Sequence, residues 1–332
     1  MSIIVLDGPD AVGKTTLAKA FSKRYSNVKY LHLKHRWKNN MFDYHTAAFR
    51  LAKRWSYEGN IVIIDRWWMS EACYASVYRG GSAWPLQGRF HERLGLTYGV
   101  VYVLCLPDET TLDRFEKLKK ERHEQYDDIQ KVCDMYNKLY YGDESHTDSG
   151  NYIDQIIIRG GYYNCPYVMP YTINNWGSKN LMSIFIDLVL QRSNDMLNSQ
   201  FKGAFVSDNF LGHAKFANYL FVGEQVNPKY RDVFWPFFEY GNCSLYLTKV
   251  INDLWVNERD MAYTNIYDKD GNVDLTFPKQ FQNDKIIIAL GNKAKTELKK
   301  AGCQVDYAVK HPSYYKRFCP SELFKQLENM IC

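Results

Sequence analysis

Residues Gly8 to Thr15 read GPDAVGKT and fit the spacing G-x-x-x-x-G-K-[ST]. That spacing suits one kind of chemistry, the holding and moving of phosphate. Glycines let backbone N–H groups close round phosphate oxygens, and the helix N-terminus that follows adds partial positive charge. Gly8 and Gly13 shape the loop and Lys14 offers a mobile cation to β- and γ-phosphates. Thr15, with Thr16 beside it, offers a hydroxyl ligand for Mg²⁺. A plain glycine-rich turn would explain neither the lysine nor the paired threonines. A second pair, Asp65-Arg66, closes the apolar run NIVIID. Asp65 would hold Mg²⁺, partly through water, and Arg66 has the planar fork that grips a phosphate. The alternative for that pair is an ordinary capping ion pair. Together these residues predict a bound nucleoside triphosphate, ATP, with Mg²⁺.

To meet, such residues need strands that end on the same side of a sheet. Apolar runs at 3–7, 28–33, 60–65, 98–106 and 167–173 read as five strands, and their continuous apolarity suits a parallel sheet covered on both faces. Helical patterns cover 14–26, 44–57, 112–140 and 178–197. The expectation is a doubly wound α/β domain over residues 1–200, with the polar stretch 142–166 as an insertion or flap. Asp65-Arg66 then falls at the carboxyl edge, beside the phosphate loop, where open α/β sheets bind ligands. A second, smaller α/β domain over 215–332 is expected from strands at 219–223, 262–266 and 285–290 and helices at 245–255 and 293–301.

At 332 residues, with 46% hydrophobic and 24% charged residues, the chain reads as globular and as two domains. Its longest apolar runs are too short to span a bilayer. Met1 leads directly into a strand, which predicts no signal peptide and a cytoplasmic location. The eight cysteines include no C-x-x-C pair, so neither a zinc site nor a disulfide framework is indicated. A net charge of +5 permits a polyanionic partner without demanding one. The 16% aromatic content suits either core filling or base stacking.

GPDAVGKTTLA followed by DRWWMSEACYA resembles the thymidylate kinase family of P-loop kinases. That family carries a D-R-aromatic-x-x-S-x-x-A-Y-Q segment, and Asp65, Arg66, Trp67, Ser70 and Tyr74 fall in register with it. The resemblance implies kinase chemistry, with Trp67, Ser70 and Tyr74 near the substrate and Asp10 beside the nucleotide sugar. It further implies a homodimer, and a basic lid helix on which Arg114, Lys117 and Arg122 would neutralise the transferring phosphoryl group; a solvated basic helix face is the alternative. The family's phenylalanine-proline-arginine segment is not recognisable in LHLKHRWKNN, and its glutamine after the tyrosine is Ala75. The phosphate-handling core is kept while the base-handling parts differ.

Further along, LFVGEQVNPK, WPFFEYGNCSLYL, AYTNIYD, KIIIALGNKA and KHPSYYKRF resemble, in that order, motifs of the uracil-DNA glycosylase superfamily. The resemblance implies a domain that reads a flipped pyrimidine, with Glu224 in the first loop, Phe237 or Phe238 stacking, Asn265 reading the base edge and His311 in the second loop. GEQVNP is stretched relative to that family's first loop, which favours base reading without cleavage. The two halves together imply a kinase resembling bacteriophage enzymes that phosphorylate 5-hydroxymethyluracil in DNA. A free thymidylate kinase and a glycosylase with a regulatory P-loop domain are the alternatives.

Overall fold

A computed structural model describes residues 2–33, 41–82, 86–122, 129–148, 151–201, 209–225 and 242–331. The chain divides into two compact units, one of Met1–His91 with Gly99–Leu197, the other of Glu92–Tyr98 with Asn198–Cys332.

The first unit is built on five parallel strands, β1 (Ser2–Asp7), β2 (Val28–His32), β3 (Ile61–Asp65), β4 (Val101–Cys105) and β5 (Val168–Tyr171), in the order β2-β3-β1-β4-β5. β1 and β4 are buried along their whole length, as the continuous apolar runs require. The helices of this unit are α1 (Lys14–Arg24), α2 (Met41–Tyr57), α3 (Trp68–Arg79), α4 (Gln87–Thr97), α5 (Thr111–Arg122), α6 (Ile129–Tyr141), α7 (Tyr152–Ile158), α8 (Ile173–Trp176) and α9 (Lys179–Phe201). The last residues of α4 and of α9 group with the second unit. Register fixes which ends meet: Leu6 lies opposite Asp65, Asp7 opposite Leu104, and His32 opposite Asp65.

Within the helical pattern expected over 112–140, α5 and α6 are described and residues 123–128 between them lie outside the described residues. The stretch 142–166, expected as an insertion or flap, holds α7, whose residues Tyr152 to Ile157 are all buried and which packs against α3 and α6. Its apolar run YIDQIII has to be covered, so α7 belongs to the core. Gly142 and Gly161 let the turns after α6 and α7 cross: a Cβ on Gly142 would stand 2.4 Å from the Gly160 Cα.

The second unit has its own sheet, in the order β10-β9-β7-β8-β6. Its strands are β6 (Phe210–Gly212), β7 (Tyr219–Gly223), β8 (Met261–Asn265), β9 (Ile286–Leu290) and β10 (Tyr307–Val309), with only β6 antiparallel. Helices α10 (Asn242–Asp253), α11 (Thr276–Phe281), α12 (Asn292–Lys300), α13 (Pro312–Phe318) and α14 (Pro320–Ile331) complete it. Phe210, Leu220, Val222, Ile266, Phe277 and Ile287 form its apolar core. Arg93, from the short upstream piece, is paired with Glu258 at 2.5 Å, and both side chains are buried. The same guanidinium lies 4.4 Å from the Tyr263 ring centre. A buried charge left without its partner is expensive, so this pair ties the 92–98 segment to the unit.

Candidate functional site

The phosphate loop leaves β1 between β3 and β4 and runs into α1. Gly8 has φ 151°, and a Cβ there would stand 2.2 Å from the Cys105 carbonyl oxygen, so only glycine lets the loop lie this close to the end of β4. Ala11 and Arg66 have φ of 65° and 69°, a left-handed conformation that non-glycine residues rarely adopt and that gathers at functional sites. Beneath the loop, Asp7 is fully buried. Its Oδ1 accepts hydrogen bonds from Gly8 N (3.0 Å), Ser70 Oγ (2.7 Å) and the Tyr136 hydroxyl. Its Oδ2 accepts from Trp67 N (3.0 Å) and Ser70 N (3.3 Å). One carboxylate thus ties the loop, the β3–α3 turn and α6 together.

A cavity of about 500 Å³ opens over the loop, within the range of small-molecule sites. Asp10, Gly13, Lys14, Thr15, Thr16, Asp65, Arg66 and Arg114, all predicted from sequence, line it. Lys14 is buried, and its Nζ donates to the carbonyl oxygens of Gly8 (2.8 Å) and Pro9. Burial first, then the Arg66 charge, lowers its pKa, with Asp10 and Asp65 opposing. Arg66 pairs with Asp10, whose other oxygen accepts the Tyr74 hydroxyl at 2.9 Å, and its guanidinium lies 5.3 Å from the Tyr74 ring centre. Burial raises the Asp10 pKa, but the charges of Arg66 and Lys14 and the Tyr74 hydroxyl outweigh it and hold the carboxyl below its ordinary value.

Asp65 sits at the end of β3 with no exposed surface. Its Oδ2 accepts the Tyr30 hydroxyl (2.5 Å) and lies 3.1 Å from His32 Nδ1, both from β2. Burial raises its pKa, yet the His32 hydrogen bond, the Lys14 charge and the Tyr30 hydrogen bond together bring it below the ordinary value. Among the described residues its Oδ1 has no hydrogen-bond partner. A buried orphan carboxylate oxygen and the exposed Thr15 hydroxyl, lining one cavity, fit Mg²⁺, which keeps much of its water and needs few protein ligands. No cage of three or more His, Cys, Asp or Glu is present among the described residues.

Arg114, at the start of α5, reaches back over the loop. Its Nε donates to the Ala11 carbonyl at 2.9 Å, while its other nitrogens are held by Asp108 (2.7 Å), Thr111 (3.0 Å) and Thr110. Lys117 lines the same cavity. The Arg122 side chain lies outside the described residues.

Two expected substrate contacts are corrected. Trp67 has no exposed surface, stacks on Phe49 (ring centres 5.2 Å apart) and donates from Nε1 to the His45 carbonyl at 3.1 Å. Ser70 is buried, with its hydroxyl on Asp7. Both support the site from inside rather than face a ligand. No sequence motif marks Asp7, Tyr136, Tyr30 or His32; Tyr30 and His32 alternate along KYLHL, and side chains two apart on a strand share one face.

In the second unit Glu224 follows β7, Asn265 ends β8 opposite Gly223, and His311 caps α13, accepting from Ser313 N on Nδ1. All three fall at the carboxyl end of their strands. Glu224 pairs with Lys293 of α12 at 2.6 Å, where β7 and β9 lie side by side although β8 comes between them in sequence. Such a switch in strand order is where open α/β sheets bind ligands. Asn265 is buried, and its backbone is held by the Asn209 amide at 2.9 and 3.3 Å. Phe237 and Phe238 lie outside the described residues.

No protein-family profile matches the chain, and no curated protein matches it. Among solved structures, the YorR protein of Bacillus subtilis in complex with phosphorylated GDP is similar at 18% identity and a TM-score of 0.41, over 58% of this chain and 98% of that one. The thymidylate kinase of Ehrlichia chaffeensis is similar at 17% identity and a TM-score of 0.25, over 42% of this chain and 97% of that one. At TM-scores below 0.5 these likenesses carry no weight in the functional reading. What stands is an α/β chain with a parallel five-stranded sheet, a phosphate loop at its carboxyl edge and a second, mixed sheet. No helix among the described residues is long and apolar enough to cross a membrane.

Proposed function

We propose that the chain is an ATP- and Mg²⁺-dependent phosphotransferase whose acceptor is a hydroxyl group on a pyrimidine. The preferred acceptor is the hydroxymethyl group of 5-hydroxymethyl-deoxyuridine in DNA, with the second unit holding the flipped base. The observation that carries the reading is the convergence of Lys14, Thr15, Asp65, Arg66 and Arg114 on one cavity above a phosphate loop. In the transfer, the acceptor oxygen bonds to the γ-phosphorus, the bond to the β–γ bridging oxygen breaks, ADP leaves with that electron pair, and the acceptor proton passes to solvent. Little covalent work falls to the protein, so positioning and charge do most of it. Lys14 and Arg114 bring positive charge to the phosphate end. Thr15 and Asp65 would hold Mg²⁺, which when bound neutralises charge on the phosphates.

Arg66, the cation that would grip an acceptor's phosphate, is already matched by Asp10, which supports a neutral hydroxyl as the acceptor. Asp10, expected beside a nucleotide sugar, is held by Arg66 and Tyr74 instead. Base reading by the second unit is supported by the order of its glycosylase-like motifs and by Glu224, Asn265 and His311 lying at one sheet edge. Extruding a base costs a few kcal/mol, which stacking and phosphate contacts would offset.

The test is transfer from γ-labelled ATP, offered with dTMP or with duplex DNA containing 5-hydroxymethyluracil. Label should enter the DNA, and Lys14→Ala should abolish it. Label confined to dTMP refutes the acceptor, and label in neither refutes the phosphotransferase. Release of free base from uracil-containing DNA would favour the glycosylase.

A further inference from the structure

Helix α13 of the second unit exposes two aromatic rings that its own packing does not use. Tyr315 points inward, 2% exposed, with its hydroxyl between Lys310 N and Gln326. Tyr314 and Phe318, one helical turn apart, face out at 37% and 71% exposure. No other large hydrophobic side chain among the described residues is as exposed as Phe318. The two rings contact each other, centres 5.2 Å apart, and Lys310 Nζ lies 3.9 Å from the centre of the Tyr314 ring. Lys310, Lys316 and Arg317 are all exposed, and residues 307–318 contain no acidic side chain.

Glu322 lies near Lys310, yet Lys310, Lys316 and Arg317 leave an excess of positive charge beside the rings. Such a patch suits a partner that alternates flat π-faces with negative charge. An acidic peptide supplies the charge without the faces. A bilayer accepts rings, but α13 has only seven residues and two outward rings, a small apolar face for membrane binding. A nucleic-acid strand supplies both, because its bases stack on aromatic side chains whatever their sequence and its phosphates pair with Lys and Arg.

We propose that the outward face of α13, formed by Tyr314 and Phe318 with Lys310 and Arg317, is a stacking platform for unpaired bases of a nucleic-acid strand. The platform deepens the DNA reading above. His311, near Glu224 at the sheet edge, caps the same helix, so the platform adjoins that edge.

Binding of the full chain to a fluorescently labelled single-stranded oligothymidylate, followed by anisotropy without ATP across a salt series, tests this. Phe318→Ala and Tyr314→Ala should each weaken binding about 5- to 150-fold, the range for loss of one stacked base. Arg317→Gln leaves the rings in place and should reduce the slope of log affinity against log salt by about 0.7, the loss of one phosphate contact. Unchanged affinity in the double ring variant overturns the proposal. So does tighter binding of a duplex of equal length, or Phe318-dependent co-sedimentation with phosphatidylserine vesicles without strand binding. Because no ATP is present, failure of this surface and failure of phosphoryl transfer are separate results.

Discussion

Asp7 is the residue on which the shape of the phosphate loop depends, and Asp7→Asn tests that directly. The carboxylate accepts five hydrogen bonds, two of them from backbone groups of the β3–α3 turn and one from Gly8 of the loop. An asparagine must place an NH₂ where one oxygen was. Turned towards Trp67 and Ser70 it meets two backbone N–H groups. Turned the other way it meets the Gly8 N–H, while the Ser70 and Tyr136 hydroxyls rotate to accept. The second choice is cheaper and still leaves one buried donor unpaired, about 1–3 kcal/mol. The remaining bonds also lose their charge assistance, so the total comes to about 2–5 kcal/mol. For a unit of this size that lowers the unfolding temperature by about 5–15 °C. Tyr136→Phe removes one donor and leaves the carboxylate with four partners, which should cost only about 1 kcal/mol. Calorimetry on the two variants decides the matter. If Asp7→Asn melts within about 2 °C of the parent, relief of a buried charge outweighs the lost bonds and the carboxylate is not the tie described.

Asp10→Asn releases Arg66 from its partner, so competition by dTMP for the acceptor end should strengthen roughly tenfold while transfer to a hydroxyl falls; an unchanged inhibition constant would contradict the charge argument. The Asp10 carboxyl is held below its ordinary 3.8, so the pair's contribution is present above that pH and is lost as pH falls through the lower folded value. His45 is buried, which lowers its pKa from 6.5 to about 3. The unfolded chain therefore takes up a proton that the folded chain refuses, and stability should fall by about 1.4 kcal/mol per pH unit below pH 6.5, levelling near pH 3. Denaturant titrations of His45→Gln should show a slope shallower by one proton.

The phosphate loop was legible because its chemistry is local: eight residues, flanked by a strand and a helix, define it. Asp65 and Arg66 were legible because an apolar run that stops at a charged pair marks a strand end. What the pattern left open was direction. Trp67 and Ser70 stand in the right register, but the turn into α3 sends the indole onto Phe49 and the hydroxyl onto Asp7. α7 escaped notice because its Asp154 and Gln155 are polar yet buried, and only tertiary packing decides that. Tyr30 and His32 meet Asp65 across a parallel register between β2 and β3, a pairing that no local pattern records.

The Arg93–Glu258 pair bears on how the chain can be assembled during synthesis. The 92–98 segment leaves the ribosome about 110 residues before β6 and about 160 before Glu258. Until then Arg93 cannot form its pair with Glu258, so the second unit is complete only when both pieces have been made. A nascent chain must therefore keep that segment available while the intervening sheet forms, which makes this unit the later one to mature. Expression of the later piece alone would leave the buried Glu258 without Arg93.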